Sequence, residues 1–424
     1  MSIFNRKTLK KFFWRLKSGD FSAIFRAAFF LVGWLLGRIL SLPWVVLLYA
    51  LKPVYWVKIG RLRYERIGHL ASNTDLFLRR RQIDLHPPHP SYYFVSDSIG
   101  ICNRQLLDMY KRLLNVFESR FLVAVYEGLL PVLQRTPFHQ ELPNVYNEYY
   151  EYQEGVRSLY FSDTEMDKGK KILAKMGIDL ERDRYVCVFA RDDAYLNSVQ
   201  GFQSWSYNDY RDVDIQSFEE AMKLILAKGW FVIRVGSIVK KPVALRHPKL
   251  IDYPYSDFRG DFMDIFLPAN SFFFLGTPSG YCDLANCFDT PRIVVNSTPF
   301  GDLPFGKNNL YIPKKIKNIT TGNYLTFQES QEMGLDQVYG SIDHLGLEYE
   351  DNSPEDIVEV TREMIDRLEG RFEYHDEDRL LVQEYYDLLS QSRILCREVK
   401  TPIGRDWLKK NRDLYLPPEN RSTH

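Results

Sequence analysis

From Ala27 to Leu51 the chain reads AAFFLVGWLLGRILSLPWVVLLYAL, an apolar stretch of 25 residues whose one charge is Arg38. As a continuous helix this stretch is about 37 Å long, enough to cross a bilayer. Pro43 breaks or kinks it past its middle, and Arg38 is costly at mid-depth. Both flanks are basic, with Lys7, Lys10, Lys11, Arg15, Lys17 and Arg26 before it and Lys52, Lys58, Arg61, Arg63 and Arg66 after it. The positive-inside tendency keeps both flanks cytoplasmic, so the pattern favours a re-entrant or interfacial hairpin over a clean crossing. A cleaved signal peptide would have a shorter apolar region and an A-x-A-like site, and neither is present.

Beyond this head the pattern switches between short apolar runs and helical periodicity. Tyr55–Arg63 reads as a strand, and RIGHLASNTDLFLRRR turns through Gly68 into a helix. Tyr92–Ser96 is a second strand, followed by helical segments over Arg104–Val116 and Ser119–Val132. The Tyr-rich stretch Tyr146–Tyr160 fits no pattern well and is a candidate junction. From residue 185 the alternation is regular. YVCVFA (185–190), WFVIRVG (230–236), Leu250–Tyr253, SFFFL (271–275) and PRIVVN (291–296) read as strands. Between them, Asp214 caps IQSFEEAMKLILAKG, Asp261 caps FMDIFLPA, and YCDLANCFD is a short helix. Past residue 353, SPEDIVEVTREMIDRLEG and DEDRLLVQEYYDLL are amphipathic helices. This alternation predicts an α/β fold of right-handed βαβ units with mostly parallel sheets. The expected organisation is a membrane-associating segment over 1–56, domains over 57–165 and 166–350, and C-terminal helices and tail over 351–424.

Charge sharpens the picture. The 424 residues carry 55 Lys+Arg and 55 Asp+Glu, yet residues 1–66 hold thirteen basic residues against Asp20 and Glu65. The head is therefore +11 and the body −11. A cationic head on an acidic body fits an anionic membrane surface and argues against nucleic acid as a partner. Five scattered cysteines (Cys102, Cys187, Cys282, Cys287, Cys396) match no zinc spacing and read as reduced structural thiols.

In an open parallel sheet, ligands lie beyond the carboxyl ends of the strands. Two motifs fall there. Arg191-Asp192-Asp193 follows YVCVFA, and an arginine offers a planar charged fork matched to phosphate oxygens. The bland reading of these residues is a solvated turn with Arg191 paired to Asp192 or Asp193. GTPSG, with Gly276, Thr277, Ser279 and Gly280, joins a strand to a helix, where small residues allow close approach and the helix N-terminus favours an anion. Together they predict a diphosphate site. Arg234, ending WFVIRVG, either adds to it or pairs with an aspartate. Neither a dinucleotide-binding glycine pattern nor a Walker lysine motif is present. Asp212-Val213-Asp214 matches a metal-binding D-x-D only loosely, because no apolar strand leads into it and Asp214 has a capping role. No cofactor or metal is expected.

CVFARDDAYLN, YRDVDIQSFEEAMKLILAKGWFVIRVGS and FFLGTPSGYCDLANCFDTPRIVVN, with RIGHLASNTDLFLRRR and LKKNRDL, together resemble a bacterial glycosyltransferase family from surface-polysaccharide gene clusters. More distantly the chain is similar to fucosyltransferases and heptosyltransferases of the GT-B type. The resemblance covers about residues 57–412 and implies two Rossmann-like domains. It further implies an inverting, metal-independent transfer from a nucleotide-sugar donor to a glycan or lipid-linked glycan at the cytoplasmic face of the inner membrane. By position, Arg191 would meet the donor diphosphate and Gly276, Thr277, Ser279 and Gly280 would cradle it. His69 lies at the acceptor-side turn, where the heptosyltransferase pattern has an acidic residue. The base is His69, Asp192 or Asp193. A catalytically silent membrane-bound scaffold or glycan-binding module is the alternative, and a sugar-nucleotide epimerase of similar topology is a third reading.

Overall fold

The apolar run folds as one helix in the computed structural model, which describes residues 21–83, 90–143, 149–192, 194, 206–300, 303–390 and 401–414. Helix α1 (Phe21–Leu51) passes through Pro43 unbroken, so the expected hairpin does not form. The reason is contact on both sides of the proline: Gly37 before it and Leu48 after it are both buried against the body. The chain then divides into two compact units, Met1–Leu70 with Asp84–Pro143, and Ala71–Ile83 with Asn144–His424.

The first unit holds β1 (Val57–Arg61), and a π-helical turn, His69–Asn73, leads out of it into α2 (Thr74–Gln82) of the second unit. The chain returns as β2 (Ser91–Ser96), α3 (Arg104–Lys111), β3 (Asn115–Glu118) and α4 (Arg120–Leu133). The strands form a parallel sheet in the order β1-β2-β3. The expected helix over Arg104–Val116 stops early because Asn115 and Val116 join the ladder beside Tyr93 and Phe94. Pairing with a preformed strand here outweighs local helical propensity.

Helix α1 lies along α4 in the same direction, with Phe29 on Phe121 at 5.2 Å and, beyond the end of α4, Tyr49 edge-on to Phe138 at 4.8 Å. Small residues make the seam. A side chain at Gly37 would overlap the Val125 carbonyl, and one at Gly128 would overlap the Trp34 carbonyl. A Cβ on Gly33 would stand 2.9 Å from the Ala124 Cβ. The backbones thus meet through Gly33-x-x-x-Gly37 on one helix and Ala124-x-x-x-Gly128 on the other, the small-residue spacing that lets helices approach closely. Leu48 joins Val95, Val123, Tyr126, Leu133 and Phe138 in the unit's core.

In the second unit, Arg79 of α2 is fully buried. It bonds Asp75 and Asp289, each at 2.8 Å, and the Gly155 carbonyl at 3.0 Å, over the Tyr152 ring at 4.4 Å. Tyr152 belongs to the short helix α5 (Tyr149–Glu154), within the stretch that fits no sequence pattern. The chain continues as α6 (Asp163–Lys175), β4 (Tyr185–Phe189), α7 (Glu219–Ala227), β5 (Phe231–Arg234) and β6 (Leu250–Asp252). Next come α8 (Asp261–Asn270), β7 (Phe274–Gly276), α9 (Gly280–Cys287), β8 (Arg292–Ser297) and β9 (Leu310–Pro313). Neither β9 nor the two-stranded ribbon of β10 (Lys315–Asn318) and β11 (Leu347–Glu350) is among the elements expected from the pattern. Helices α10 (Phe327–Glu332), α11 (Pro354–Leu368), α12 (Asp376–Ser390) and α13 (Arg405–Lys410) complete the unit.

All six strands of the large sheet are parallel, in the order β6-β5-β4-β7-β8-β9. Counted within the sheet this is 3-2-1-4-5-6, the doubly wound order of nucleotide-binding domains. The four buried residues Tyr185, Val186, Cys187 and Val188 of β4 explain the continuous apolar run: the strand is covered on both faces. The chain is thus a mixed α/β protein with parallel sheets and one N-terminal apolar helix, the class that the alternation predicted. Cys102, Cys187, Cys282 and Cys287 are free thiols.

The glycine seam makes a direct forecast. Gly37→Leu and Gly128→Leu should each lower the melting temperature by an amount equivalent to at least about 1–3 kcal/mol, the usual cost of overpacking. Gly340→Ala, where an added Cβ meets nothing within 4 Å and the backbone lies outside any helix or strand, should be nearly silent. Thermal denaturation of the three variants checks this, and equal melting temperatures would contradict it.

Candidate diphosphate site at the sheet switch point

The doubly wound order has one position where the winding reverses, between β4 and β7. The strands on either side connect in opposite directions, and in sheets of this order ligands bind beyond the carboxyl ends of the strands at that point. The two motifs singled out in the sequence leave these two strands. Ala190-Arg191-Asp192 follows β4, and Thr277-Pro278-Ser279 runs from β7 into α9.

A buried hydrogen bond ties the loops together. The Arg191 backbone N–H donates to Thr277 Oγ1 at 3.0 Å, and Thr277 is fully buried. The Arg191 carbonyl accepts from the Val213 N–H at 3.0 Å, bringing in the segment before α7. Gly276 is required where it stands, because a Cβ there would lie 2.7 Å from the Phe274 ring and 3.2 Å from the Phe189 carbonyl. Ser279 caps α9, its Oγ accepting from the Cys282 N–H at 3.1 Å. Gly280 opens the helix, and the amides of Gly280 and Tyr281 in its first turn have no intrahelical acceptor within reach. Pro278, Ser279 and Gly280 are half-buried, so the turn borders solvent.

Arg191 is 8 % exposed, and its guanidinium ion-pairs with Asp212, 21 positions along the chain. Among the described residues its carboxylate partner is Asp212 and not the adjacent Asp192. Desolvation by burial lowers the Arg191 pKa from its ordinary value, Asp212 opposes that shift, and the nearby Arg211 adds to it. Arginine stays charged throughout. Arg211 is a residue that the sequence pattern does not single out; only its place in YRDVD beside Asp212 could signal it. Lys314, just after β9, donates to the Tyr210 carbonyl at 2.8 Å and so fixes the same segment.

The remaining candidates fall in different places. Asp192 uses one carboxylate oxygen to accept from the Ala194 N–H at 3.1 Å and the other from the Lys240 N–H at 2.9 Å. Asp193 lies outside the described residues. Arg234 is 1 % exposed and bonds Asp252 at 2.9 Å and the Lys241 carbonyl at 3.3 Å, so it pairs inside the sheet with an aspartate. His69 is exposed at the π-helical turn in the first unit. Asp212 and Asp214 serve different partners, since Asp214 caps Gln216 at 2.9 Å and holds Lys241 at 2.7 Å. A 290 Å³ cavity elsewhere in the second unit is lined by Arg362, Arg371 and Arg405 but also by five carboxylate side chains, an ill match for a diphosphate.

No protein-family model matches the chain, and no curated protein does. Among solved structures, it is similar to the glycosyl transferase family 9 protein from Veillonella parvula DSM 2008, at 8 % identity and a TM-score of 0.44 over 74 % of this chain and 98 % of that one. It is also similar to the Escherichia coli ADP-heptose lps heptosyltransferase II, at 12 % identity and a TM-score of 0.43 over 74 % and 98 %. The iron-containing dodecameric glycosyltransferase TibC from enterotoxigenic E. coli aligns at 12 % identity and a TM-score of 0.37, over 75 % and 78 %.

The Arg191–Thr277 bond can be tested alone. Thr277→Val strips the acceptor from a buried amide and should cost about 1–3 kcal/mol in chemical denaturation. Thr277→Ser keeps the hydroxyl and should recover most of that loss. A valine variant as stable as the parent would show that the hydrogen bond does not hold the loops.

Proposed function

We propose that this protein is a glycosyltransferase of GT-B type that moves a sugar from a nucleotide donor to a cell-surface glycan such as a capsule or O-antigen acceptor. The reaction inverts the anomeric centre, needs no metal, and takes place at the cytoplasmic face of the inner membrane. The observation that supports the reading is the tie at the switch point, where the backbone of Arg191 is bonded to Thr277, three residues before the start of α9. A departing diphosphate there meets the Arg191 guanidinium on one side and the amides of Gly280 and Tyr281 on the other, with Arg211 adding positive charge. Charge that grows on the leaving group as the glycosidic bond breaks is stabilised by donors already in place. Asp212 fixes the arginine rotamer, Thr277 and Gly276 shape the turn, and Ser279 holds the helix start.

The acceptor hydroxyl needs a base as it attacks the anomeric carbon. Both oxygens of Asp192 already accept backbone amides, which favours His69, with Asp193 the next candidate. Leaving-group charge is assigned to arginine and amides, so activity should survive EDTA unchanged. Loss of activity with EDTA and its return with manganese or magnesium would overturn metal independence.

One observation favours the silent-scaffold reading: the Arg191 charge is already balanced by Asp212. A double variant separates the two. Arg191→Ala alone removes the cation paired with Asp212 in a half-buried site and should lower the melting temperature as well as nucleoside diphosphate affinity. Arg191→Ala with Asp212→Ala removes both charges and should regain stability, while affinity for ADP, UDP or GDP stays at least about tenfold down. Calorimetric titration and melting of the same samples give both quantities. A stable double variant that binds as tightly as the parent would remove Arg191 from the site.

A further inference from the structure

The outer face of α1 is large, apolar and has a definite geometry. Its buried stripe is narrow, running Gly33, Gly37, Ser41, Val45 and Leu48. Opposite that stripe stand Phe25 (73 % exposed), Val32, Leu35, Ile39 (72 %), Leu42 and Val46. The most apolar 18-residue window of the span Phe25–Leu51 has a mean hydropathy of 1.9, and only 28 % of that window is buried. A helix that is apolar all round except for a seam is not the amphipathic surface helix of a water-soluble domain.

Two features decide how this face is used. The first is the seam itself. From Phe29 onward α1 runs beside α4, and α4 carries Glu127 ion-paired to Arg61 at 2.8 Å and Tyr126 bonded to His139 at 3.0 Å. A bilayer crossing by α1 would drag these polar groups into hydrocarbon or tear the glycine seam open. The second is the placement of charge. At about 100° per residue, Arg26 and Arg38 fall within about 80° of the centre of the buried stripe, and the opposite face has no charged residue. Both arginines are exposed. Beyond the helix, Lys52 is exposed and stands 5.2 Å from the Trp56 ring, next to the exposed Val54 and Tyr55.

We infer that α1 lies in the plane of an anionic lipid bilayer, packed from Phe29 onward against α4 and, past its end, against Phe138, with the Phe25–Val32–Ile39–Val46 face in the acyl region and Arg26, Arg38 and Lys52 at the level of the lipid phosphates. This deepens the membrane location proposed above and rests on it. Charge complementarity identifies the occupant, because the +11 head meets negative lipid headgroups. The exposed Tyr55 just past the helix end suits the interfacial zone. The first unit is thereby held against the surface by a whole helix side, not hung from a spanning tether.

The test uses the full chain. Flotation with phosphatidylcholine vesicles containing a quarter phosphatidylglycerol should carry the protein up the gradient, and pure phosphatidylcholine should carry much less. Nitroxide labels are then placed singly at Val32→Cys, Ile39→Cys and Val46→Cys in a Cys102→Ser, Cys396→Ser background, and their depths are read from collisions with oxygen and a water-soluble nickel chelate. An in-plane helix places the three labels at one depth. A crossing spreads the outer two by about 21 Å, at 1.5 Å per residue. Flotation with a depth gradient would overturn the in-plane inference and leave the membrane location standing. Failure to float, or self-association through this face that lipid does not reverse, would overturn both.

Discussion

The tie between β4 and β7 is the constraint on which the proposed diphosphate site depends. A doubly wound sheet makes a crevice at its switch point by topology, but topology alone does not fix the loops beside it. Here a fully buried threonine hydroxyl accepts the amide of the residue that carries the arginine. Breaking that bond would strand an amide away from water, so the two loops are held in register by the cost of separating them. Gly276, which no larger residue can replace without meeting Phe274 and Phe189, lets β7 lie close enough for the bond to form.

A second constraint is the backbone-to-backbone seam between α1 and α4. Four small residues allow a contact that larger side chains would hold apart, and one long helix thereby belongs to the first unit's core while most of its surface stays exposed. The same interaction explains why Pro43 does not divide the helix and why its apolar face is a surface feature of a folded unit. Arg79 plays a comparable part in the second unit, where burial is tolerable because two carboxylates, a carbonyl and an aromatic ring surround the guanidinium.

What can be read from the sequence follows the range over which each signal acts. Strands β4, β5 and β8 are legible because burial on both faces writes an uninterrupted apolar run. The turn after β7 is legible because small residues followed by helical spacing mark a strand-to-helix junction, and Asp214 is the cap that its position suggests. Strand β3 is hidden, because its identity comes from pairing with β2 and its four residues NVFE have no pattern of their own. The β10–β11 ribbon joins segments about thirty residues apart and leaves no local trace. At the site, the location of Arg191 is legible and its partner is not. Asp212 is brought to it by the fold, where sequence adjacency points to Asp192 and Asp193. The glycines of α1 look like part of an apolar span in the sequence, because their complement lies on α4, about ninety residues further along the chain.

The central claim is that one nucleoside diphosphate lies across the switch point, touching both loops. Hydrogen–deuterium exchange of the full chain, with and without saturating nucleoside diphosphate, measures this directly. The account predicts that a single nucleotide slows exchange together at residues 190–192 and at residues 277–283, with the protection confined to these stretches and the segment around Arg211. Protection at only one loop, protection elsewhere in the second unit, or no change with any of ADP, UDP, GDP and CDP would contradict it.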